Sequence, residues 1–117
     1  MEQTPKISVI IPCYYSEKSI GKAVHLARQE LVRLGYDYEF VLVNDGSTDG
    51  TFREITALCE EDPKVKGVDL SRNFGQHSAL MAALHYVTGD YVLSMDDDLQ
   101  THPSQFKKLL DAIQQGG

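Results

Sequence analysis

Short, mostly apolar runs alternate along the chain with longer stretches in which apolar residues recur at three- and four-residue steps. Several of the runs contain β-branched residues and end at a proline or at an abrupt change to acidic residues. Runs of this kind are typical of strands that are covered on both faces. The predicted strands are Ile7–Pro12, Glu39–Asn44, Val65–Leu70 and Tyr91–Met95.

The stretches between the predicted strands have the period of amphipathic helices. Gly35 stands where a C-cap glycine would end the first of them, and the residue types of the segment Asp45–Gly50 favour a turn followed by a helix N-cap. Pro103 suits the first turn of the last helix. The predicted helices are Ser16–Leu34, a second one through Phe52–Cys59 that ends before Pro63, His77–Val87 and Pro103–Gln115.

This alternation predicts an α/β fold with a mostly parallel sheet of about four strands, right-handed crossovers and helices on both faces. No repeat, linker or internal boundary interrupts it, so residues 1–117 are expected to form a single domain. Ligands of such sheets bind beyond the carboxyl ends of the strands. The segments to examine for function are therefore residues 12–17, 44–49, 71–76 and 96–100.

Composition and charge narrow the classes of function. The 117 residues are 42% hydrophobic and 24% charged, as expected of a globular domain with a buried core. A net charge of −6 disfavours a nucleic-acid partner, because phosphate binding needs clustered cations. With no long apolar run and no signal-peptide pattern, the chain is expected to be soluble and cytoplasmic. Cys13 and Cys59 match no metal-ligand spacing and are expected to be free thiols.

The acidic triplet Asp96-Asp97-Asp98 follows an apolar run directly. Because side chains alternate at a strand end, Asp96 and Asp98 can face one cavity. Clustered carboxylates repel one another unless a cation offsets them, and Mg²⁺ and Mn²⁺ prefer carboxylate and phosphate oxygens. The alternative is a solvated acidic turn before the last helix. The abrupt apolar-to-acidic change at the expected ligand edge favours a metal-bridged diphosphate.

Other polar residues at the same edge have structural alternatives. Asp45 can form a turn with Gly46, and Glu17 can be a first-turn helix residue favoured by the helix dipole. Tyr14 can be a half-buried aromatic residue. Arg72 can offset the charge of a bound phosphate or can be an ordinary surface arginine. Taken singly, none of these residues identifies a site.

Taken together, four segments form a pattern that resembles a known family. They are Val9–Glu17, Val41–Thr51, Ser71–Gln76 and Met95–Gln100, the last followed by Pro103. In order and spacing they closely resemble the nucleotide-sugar-binding half of family 2 glycosyltransferases, which have the Rossmann-like GT-A fold. The segments Arg72–Gly75 and Asp96–Gln100 are most similar to the branch that glycosylates polyprenyl phosphates, such as dolichol-phosphate mannosyltransferase and bactoprenol glucosyltransferase.

The resemblance also implies roles for the residues at matching positions. It implies that Asp45 contacts the base, that Asp96 lies against the ribose or the metal, and that Asp98 binds Mg²⁺ or Mn²⁺ on the diphosphate. At positions 15–17 many relatives have Asn-Glu-Glu where this chain has Tyr-Ser-Glu, so Glu17 matches and its two neighbours do not. The residues expected at the substrate are Pro12, Tyr14, Glu17, Asp45, Arg72 and Asp96.

The activity implied by the resemblance is transfer of a sugar, with inversion, from a UDP-sugar or alternatively a GDP-sugar to a polyprenyl phosphate. Relatives continue beyond the position of Gly117 with further strands and an acceptor-binding region. The chain is therefore expected to be the N-terminal, donor-binding part of a longer enzyme, and to be inactive alone. The longer enzyme is expected to act in glycolipid or cell-wall synthesis at the cytoplasmic face of a membrane. An unpaired outer strand would favour homo-oligomers.

Rival α/β classes lack their own signatures here. A receiver domain would have acidic residues directly after the first strand, where this chain has Pro12-Cys13. A haloacid-dehalogenase-type phosphatase would have Thr or Val at the position of Gln100, and a dinucleotide-binding dehydrogenase would have a glycine-rich turn after the first strand. A non-catalytic nucleotide-binding module stays open as the alternative.

Overall fold

Strands and helices alternate regularly through residues 5–95, which are the residues described by the computed structural model. The predicted metal ligands Asp96 and Asp98 and the predicted helix Pro103–Gln115 lie outside the described residues. The elements are β1 (Lys6–Cys13), α1 (Ile20–Arg33), β2 (Asp37–Asp45), α2 (Thr51–Glu61), β3 (Val65–Leu70), α3 (Gln76–Leu84) and β4 (Tyr91–Ser94).

The strands form one parallel sheet in the order β3-β2-β1-β4. β1 pairs with β2 along its whole length, from Lys6 opposite Asp37 to Cys13 opposite Asn44. On its other side, β1 pairs with β4 from Ile7 opposite Tyr91 onwards. The predicted α/β class and parallel sheet are therefore confirmed, and the carboxyl ends of all the described strands lie at one edge, which we call the carboxyl edge.

Apolar side chains are buried on both faces of the sheet. On one face, the core between the sheet and helices α1 and α2 includes Phe40, Leu42, Ile20 and Ile55. On the other face, Ala79 and Ala83 of α3 pack on β1 and β2 side chains. Because β1 and β2 are covered on both faces, their sequences are continuously apolar instead of alternating. Within residues 5–95, no helix combines the length and apolar character needed to cross a membrane.

The first helix differs from its prediction at its start and agrees with it at its end. α1 begins at Ile20 and not at Ser16, because Ser16 is part of a turn whose carbonyl accepts the N–H groups of Ser19 and Ile20. At the other end Gly35 has a φ of 83°, and Tyr36 N–H donates to the carbonyl of Leu31. This is a Schellman end, as the glycine predicted.

The amino half of the sheet contains a buried carboxylate that sequence reasoning missed. Glu39 of β2 is 2% exposed and accepts hydrogen bonds from Ser8 Oγ at 2.6 Å and from Thr88 N at 2.6 Å. Lys66 Nζ lies 2.9 Å from its Oε1 atom. Glu39 therefore ties the connection between α3 and β4 to the central strands.

Cys13 and Cys59 are not joined by a disulfide, as the sequence predicted. Cys13 is buried at the end of β1, and Cys59 is partly buried in α2. Burial raises the pKa of the Cys59 thiol, and the neighbouring Glu60 adds to this effect. A thiol with a raised pKa is a poor nucleophile, so Cys59 is a packing residue.

Candidate functional site

Polar loops from neighbouring strands meet at the carboxyl edge. They follow β1, β2 and β3, which are adjacent in the sheet. β4 runs parallel to β1 towards the same edge, and Met95 N–H donates to the carbonyl of Ile10 at 3.0 Å, three residues before the end of β1. The predicted site residues within the described chain all lie at this edge, namely Pro12, Tyr14, Glu17, Asp45 and Arg72.

Asp45 connects the end of β2 to the loop that precedes α3. Its side chain is buried, with 4% exposure, and its two carboxylate oxygens accept the N–H groups of Phe74 at 2.8 Å and Gly75 at 3.1 Å. Its structural partners are therefore on another strand's loop and not in a local turn with Gly46. A carboxylate can accept further hydrogen bonds, so the contact with a nucleobase stays a prediction.

Gly46 allows this loop to approach β2. Gly46 has a φ of 79°, in the left-handed region, and a Cβ atom at this position would collide with the backbone of Arg72 and Asn73. Only glycine combines this conformation with so close a backbone approach. The contact places Arg72 beside the end of β2.

Arg72 offers a cation at the carboxyl edge. Its guanidinium carbon lies 4.9 Å from the centroid of the Phe74 ring, and both side chains are exposed. Within residues 5–95 it forms no ion pair with a carboxylate. Stacking on an aromatic ring orients a guanidinium group and leaves its N–H donors available, which suits phosphate recognition.

The loop after β1 presents aromatic surface at the same edge. Tyr14 and Tyr15 are 51% and 50% exposed, and their rings meet edge to face with centroids 4.6 Å apart. Pro12 precedes them in β1, where it pairs with Val43 of β2. Exposed aromatic rings on a rigid strand end are suitable surfaces for stacking a planar base.

Glu17 lies against the second helix and not in the first. α1 begins only at Ile20, so Glu17 is not a residue of its first turn. Its carboxylate occupies the space that a Cβ atom on Gly50 would need, at the start of α2. A negative charge there is favoured by the N-terminal end of the helix dipole.

A series of hydrogen bonds across the strand ends was not predicted. Asn44 Nδ2 donates to Asp69 Oδ1 of β3 at 2.9 Å, and Asn44 Oδ1 accepts Ser47 N–H at 3.1 Å. Ser47 Oγ in turn accepts Tyr15 N–H at 2.8 Å. These contacts join the ends of β3, β2 and β1, and they depend on strand register, which residue spacing along the chain does not reveal.

Metal-ligating side chains are not clustered in the part of the chain that the structure describes. Within residues 5–95, no group of three His, Cys, Asp or Glu side chains could hold an ion. The ligands predicted from the sequence, Asp96 and Asp98, lie outside that range and follow Met95 directly. The predicted metal site stays a prediction.

We expect Asp45→Asn to lower the free energy of unfolding by about 1.5–3 kcal/mol. Asparagine has one acceptor oxygen, and its NH₂ group would face an N–H donor of Phe74 or Gly75. Urea unfolding measures the effect. The matched control is Asp69→Asn, because the exposed Asp69 accepts one hydrogen bond in the described chain, from Asn44, and an amide oxygen can keep it. Equal losses in the two variants would contradict the anchoring role of Asp45.

Comparisons with known proteins agree with the resemblance seen in the sequence. The family model for glycosyl transferase family 2 matches residues 8–117. An undecaprenyl-phosphate 4-deoxy-4-formamido-L-arabinose transferase from Klebsiella pneumoniae (strain 342) is 38% identical over 112 residues, which are 95% of this chain and 34% of that protein. The chain thus spans about a third of the length of this curated relative.

Solved structures share the fold. The mannosyltransferase PcManGT from Pyrobaculum calidifontis, in complex with GDP-Man and Mn²⁺, has a TM-score of 0.68 at 28% identity, over 82% of this chain and 28% of that one. S. aureus TarS 1-349, in complex with UDP-GlcNAc, has a TM-score of 0.70 at 30% identity, over 94% of this chain and 31% of that one. The predicted GT-A fold is confirmed.

Proposed function

The chain belongs to glycosyl transferase family 2, and from this premise we propose that it binds the nucleotide-sugar donor of a sugar transferase. The observation that carries the proposal is the convergence of Tyr14, Glu17, Asp45 and Arg72 at the carboxyl edge. Parallel α/β sheets bind their ligands at this edge. We propose a UDP-sugar as the donor, with a GDP-sugar as the alternative.

Each group at the edge suits one part of a nucleotide sugar. The half-exposed Tyr14 ring can stack on the base, and Asp45 can accept an N–H of the base in addition to its two backbone donors. Arg72, oriented by Phe74, can pair with the diphosphate. In this proposal Pro12 and Glu17 lie beside the bound nucleotide, and Asp96 contacts the ribose or the metal.

Asp98, together with Asp96, would hold Mg²⁺ or Mn²⁺. The side chains fit these ions, because both ions prefer carboxylate oxygens, and the parallel strand β4 runs towards the carboxyl edge just before these residues in the sequence. When bound, the ion neutralises charge on the diphosphate leaving group. The Mn²⁺ in the PcManGT complex supports a divalent cofactor.

We propose a polyprenyl phosphate as the acceptor, and inversion as the stereochemical outcome. The K. pneumoniae relative is named as an undecaprenyl-phosphate transferase, and its chain is about three times as long as this one. A phosphate oxygen is already anionic, so the attack needs no strong protein base. In this proposal residues 1–117 form one donor-binding domain, and other residues bind the acceptor at the cytoplasmic face of a membrane.

Calorimetric titration tests the donor site. We expect UDP or GDP to bind in the presence of Mn²⁺ and to bind at least about tenfold more weakly in EDTA or in the Asp98→Ala variant, because a lost charge-assisted contact costs more than about 1.4 kcal/mol. Asp97→Ala is the matched control and should bind as the wild type does, because its side chain alternates to the other side in the predicted strand end.

Each outcome of the titration has a distinct meaning. Equal affinity in Mn²⁺ and EDTA would contradict the metal site, and an equal loss in Asp97→Ala and Asp98→Ala would contradict the assignment of Asp98. Binding of neither nucleotide would overturn the donor site. A transfer assay with nucleotide sugar and polyprenyl phosphate, on the longest natural protein that contains these residues, tests for catalysis. If nucleotide binds but this assay shows no transfer, the alternative of a non-catalytic nucleotide-binding module is correct.

A further inference from the structure

Tyr15 has a backbone conformation that is unusual for its residue type. Its φ is 52°, and within the described chain it is the only non-glycine residue with a positive φ. This left-handed conformation is unfavourable for a bulky side chain and is tolerated by asparagine. The strain at position 15 therefore comes from placing a tyrosine in a conformation that suits asparagine or glycine. A strained residue persists only where surrounding contacts hold it.

The contacts that hold Tyr15 come from the loop after β2. Tyr15 N–H donates to Ser47 Oγ at 2.8 Å, and the Tyr15 hydroxyl lies 2.9 Å from Thr48 Oγ1. The next residue continues the attachment, because Ser16 N–H donates to Thr51 Oγ1 at 2.9 Å. The backbone and the side chain of Tyr15 are thus both bonded to the neighbouring loop.

That neighbouring loop is itself anchored to the sheet. Ser47 is bonded through its N–H to Asn44, and Asn44 is bonded to Asp69 of β3. Tyr15 is therefore attached to the ends of two other strands and not to a free surface loop. A rigid support of this kind is what a residue needs to fix the geometry of its neighbour.

We propose that Tyr15 is a positioning residue for the nucleotide: it latches the loop after β1 to the loop after β2 and so fixes the ring of Tyr14. The Tyr15 ring meets the Tyr14 ring edge to face with centroids 4.6 Å apart, and Tyr14 is half-exposed at the carboxyl edge. The inference rests on the proposed function, because the group that Tyr14 would meet there is the nucleobase.

The physical basis of the latch is preorganisation. Without it, the loop and the Tyr14 ring would sample several conformations, and binding would have to order them at a cost in affinity. The chemical step would not be affected, since Tyr15 touches no reacting group in this proposal. In an active transferase that contains this domain, loss of the latch should therefore raise the KM of the nucleotide sugar, with kcat changed by less than about twofold.

Three single variants and one double variant separate the latch from a purely structural role. Tyr15→Phe and Thr48→Val each remove one partner of the hydroxyl contact, and each should raise the dissociation constant of UDP or GDP with Mn²⁺ about fivefold. The double variant should be no weaker than either single one, because both remove the same contact. Tyr15→Asn relieves the backbone strain, so it should keep the melting temperature and still lose affinity.

The control is Tyr86→Phe, a half-exposed tyrosine after α3 that should bind as the wild type does. Wild-type affinity in Tyr15→Phe and Thr48→Val, or additive losses in the double variant, would overturn the latch, as would parallel falls in melting temperature and affinity in Tyr15→Asn. If the wild-type chain binds neither nucleotide, the proposed function fails and the latch fails with it. If the wild-type chain binds a nucleotide and the variants bind it equally well, only the latch fails. The wild-type titration thus separates failure of the latch from failure of the proposed function.

Discussion

Replacing Gly46 with alanine is expected to lower the free energy of unfolding by about 3 kcal/mol or more. Two costs add at this position. The first is the left-handed backbone, with a φ of 79°, which an L-residue with a Cβ atom adopts unfavourably. The second is the collision of the new Cβ atom with the backbone of Arg72 and Asn73. A backbone neighbour cannot rotate away as a flexible side chain can, so the whole loop must shift.

Gly35→Ala is the matched control for Gly46→Ala. Gly35 has nearly the same backbone angle, with a φ of 83°, but a Cβ atom there would meet nothing within 4 Å. We expect it to cost about 1 kcal/mol, from the backbone conformation alone. Urea unfolding of both variants measures the difference, which isolates the packing of the loop on β2. Equal losses would show that this loop does not rest on Gly46 as described.

Glu39→Gln is expected to cost about 3 kcal/mol at neutral pH. Glutamine has one acceptor oxygen and no charge, whereas the Glu39 carboxylate accepts Ser8 Oγ, Thr88 N and Thr88 Oγ1 and faces Lys66. Thermal or urea unfolding at pH 7 measures the loss. The control is Glu30→Gln, which removes a surface ion pair with Arg33 and should cost less than about 0.5 kcal/mol.

The effect of Glu39→Gln should depend on pH in a defined direction. Burial acts to raise the pKa of Glu39, but hydrogen bonds from Ser8, Lys66 and Thr88 outweigh it and lower the pKa from 4.5 to about 2. A lowered folded-state pKa stabilises the fold fully above about pH 4.5, and the stabilisation is lost as the pH falls towards 2. Wild type and variant should therefore converge in acid. A deficit that stays constant down to pH 2.5 would contradict this assignment.

The predicted elements were close to those observed because their signals are local. β3 was predicted with the observed bounds, and the end of α1 agreed because Gly35 is a C-cap glycine in its own sequence context. The predicted start of α1 at Ser16 was wrong, because the conformation of Tyr15 and Ser16 depends on contacts with Ser47 and Thr51. Local propensity cannot include partners that are distant in the sequence.

The sequence predicted at which edge of the sheet the candidate site residues lie, and it did not predict their contacts. Parallel strands place their carboxyl ends at one edge, so the sequence was sufficient to place Tyr14, Asp45 and Arg72 at the same edge. It did not show that Asp45 accepts two N–H groups of the next loop, or that Arg72 stacks on Phe74. These details depend on how the loops fold back over the strand ends. The same holds for the network around Glu39, whose residue type alone suggested no burial.

The order of hydrophobic and polar residues by itself determined the α/β class, the parallel sheet and the four segments of its carboxyl edge, because periodicity and turn chemistry act over a few residues. Only the tertiary structure decided which distant groups meet: Glu39 with Thr88, Asp45 with Gly75, Tyr15 with Thr48. Those pairings follow from strand register and loop path. A shift of one residue in register would turn every side chain to the opposite face, and no local pattern specifies that choice.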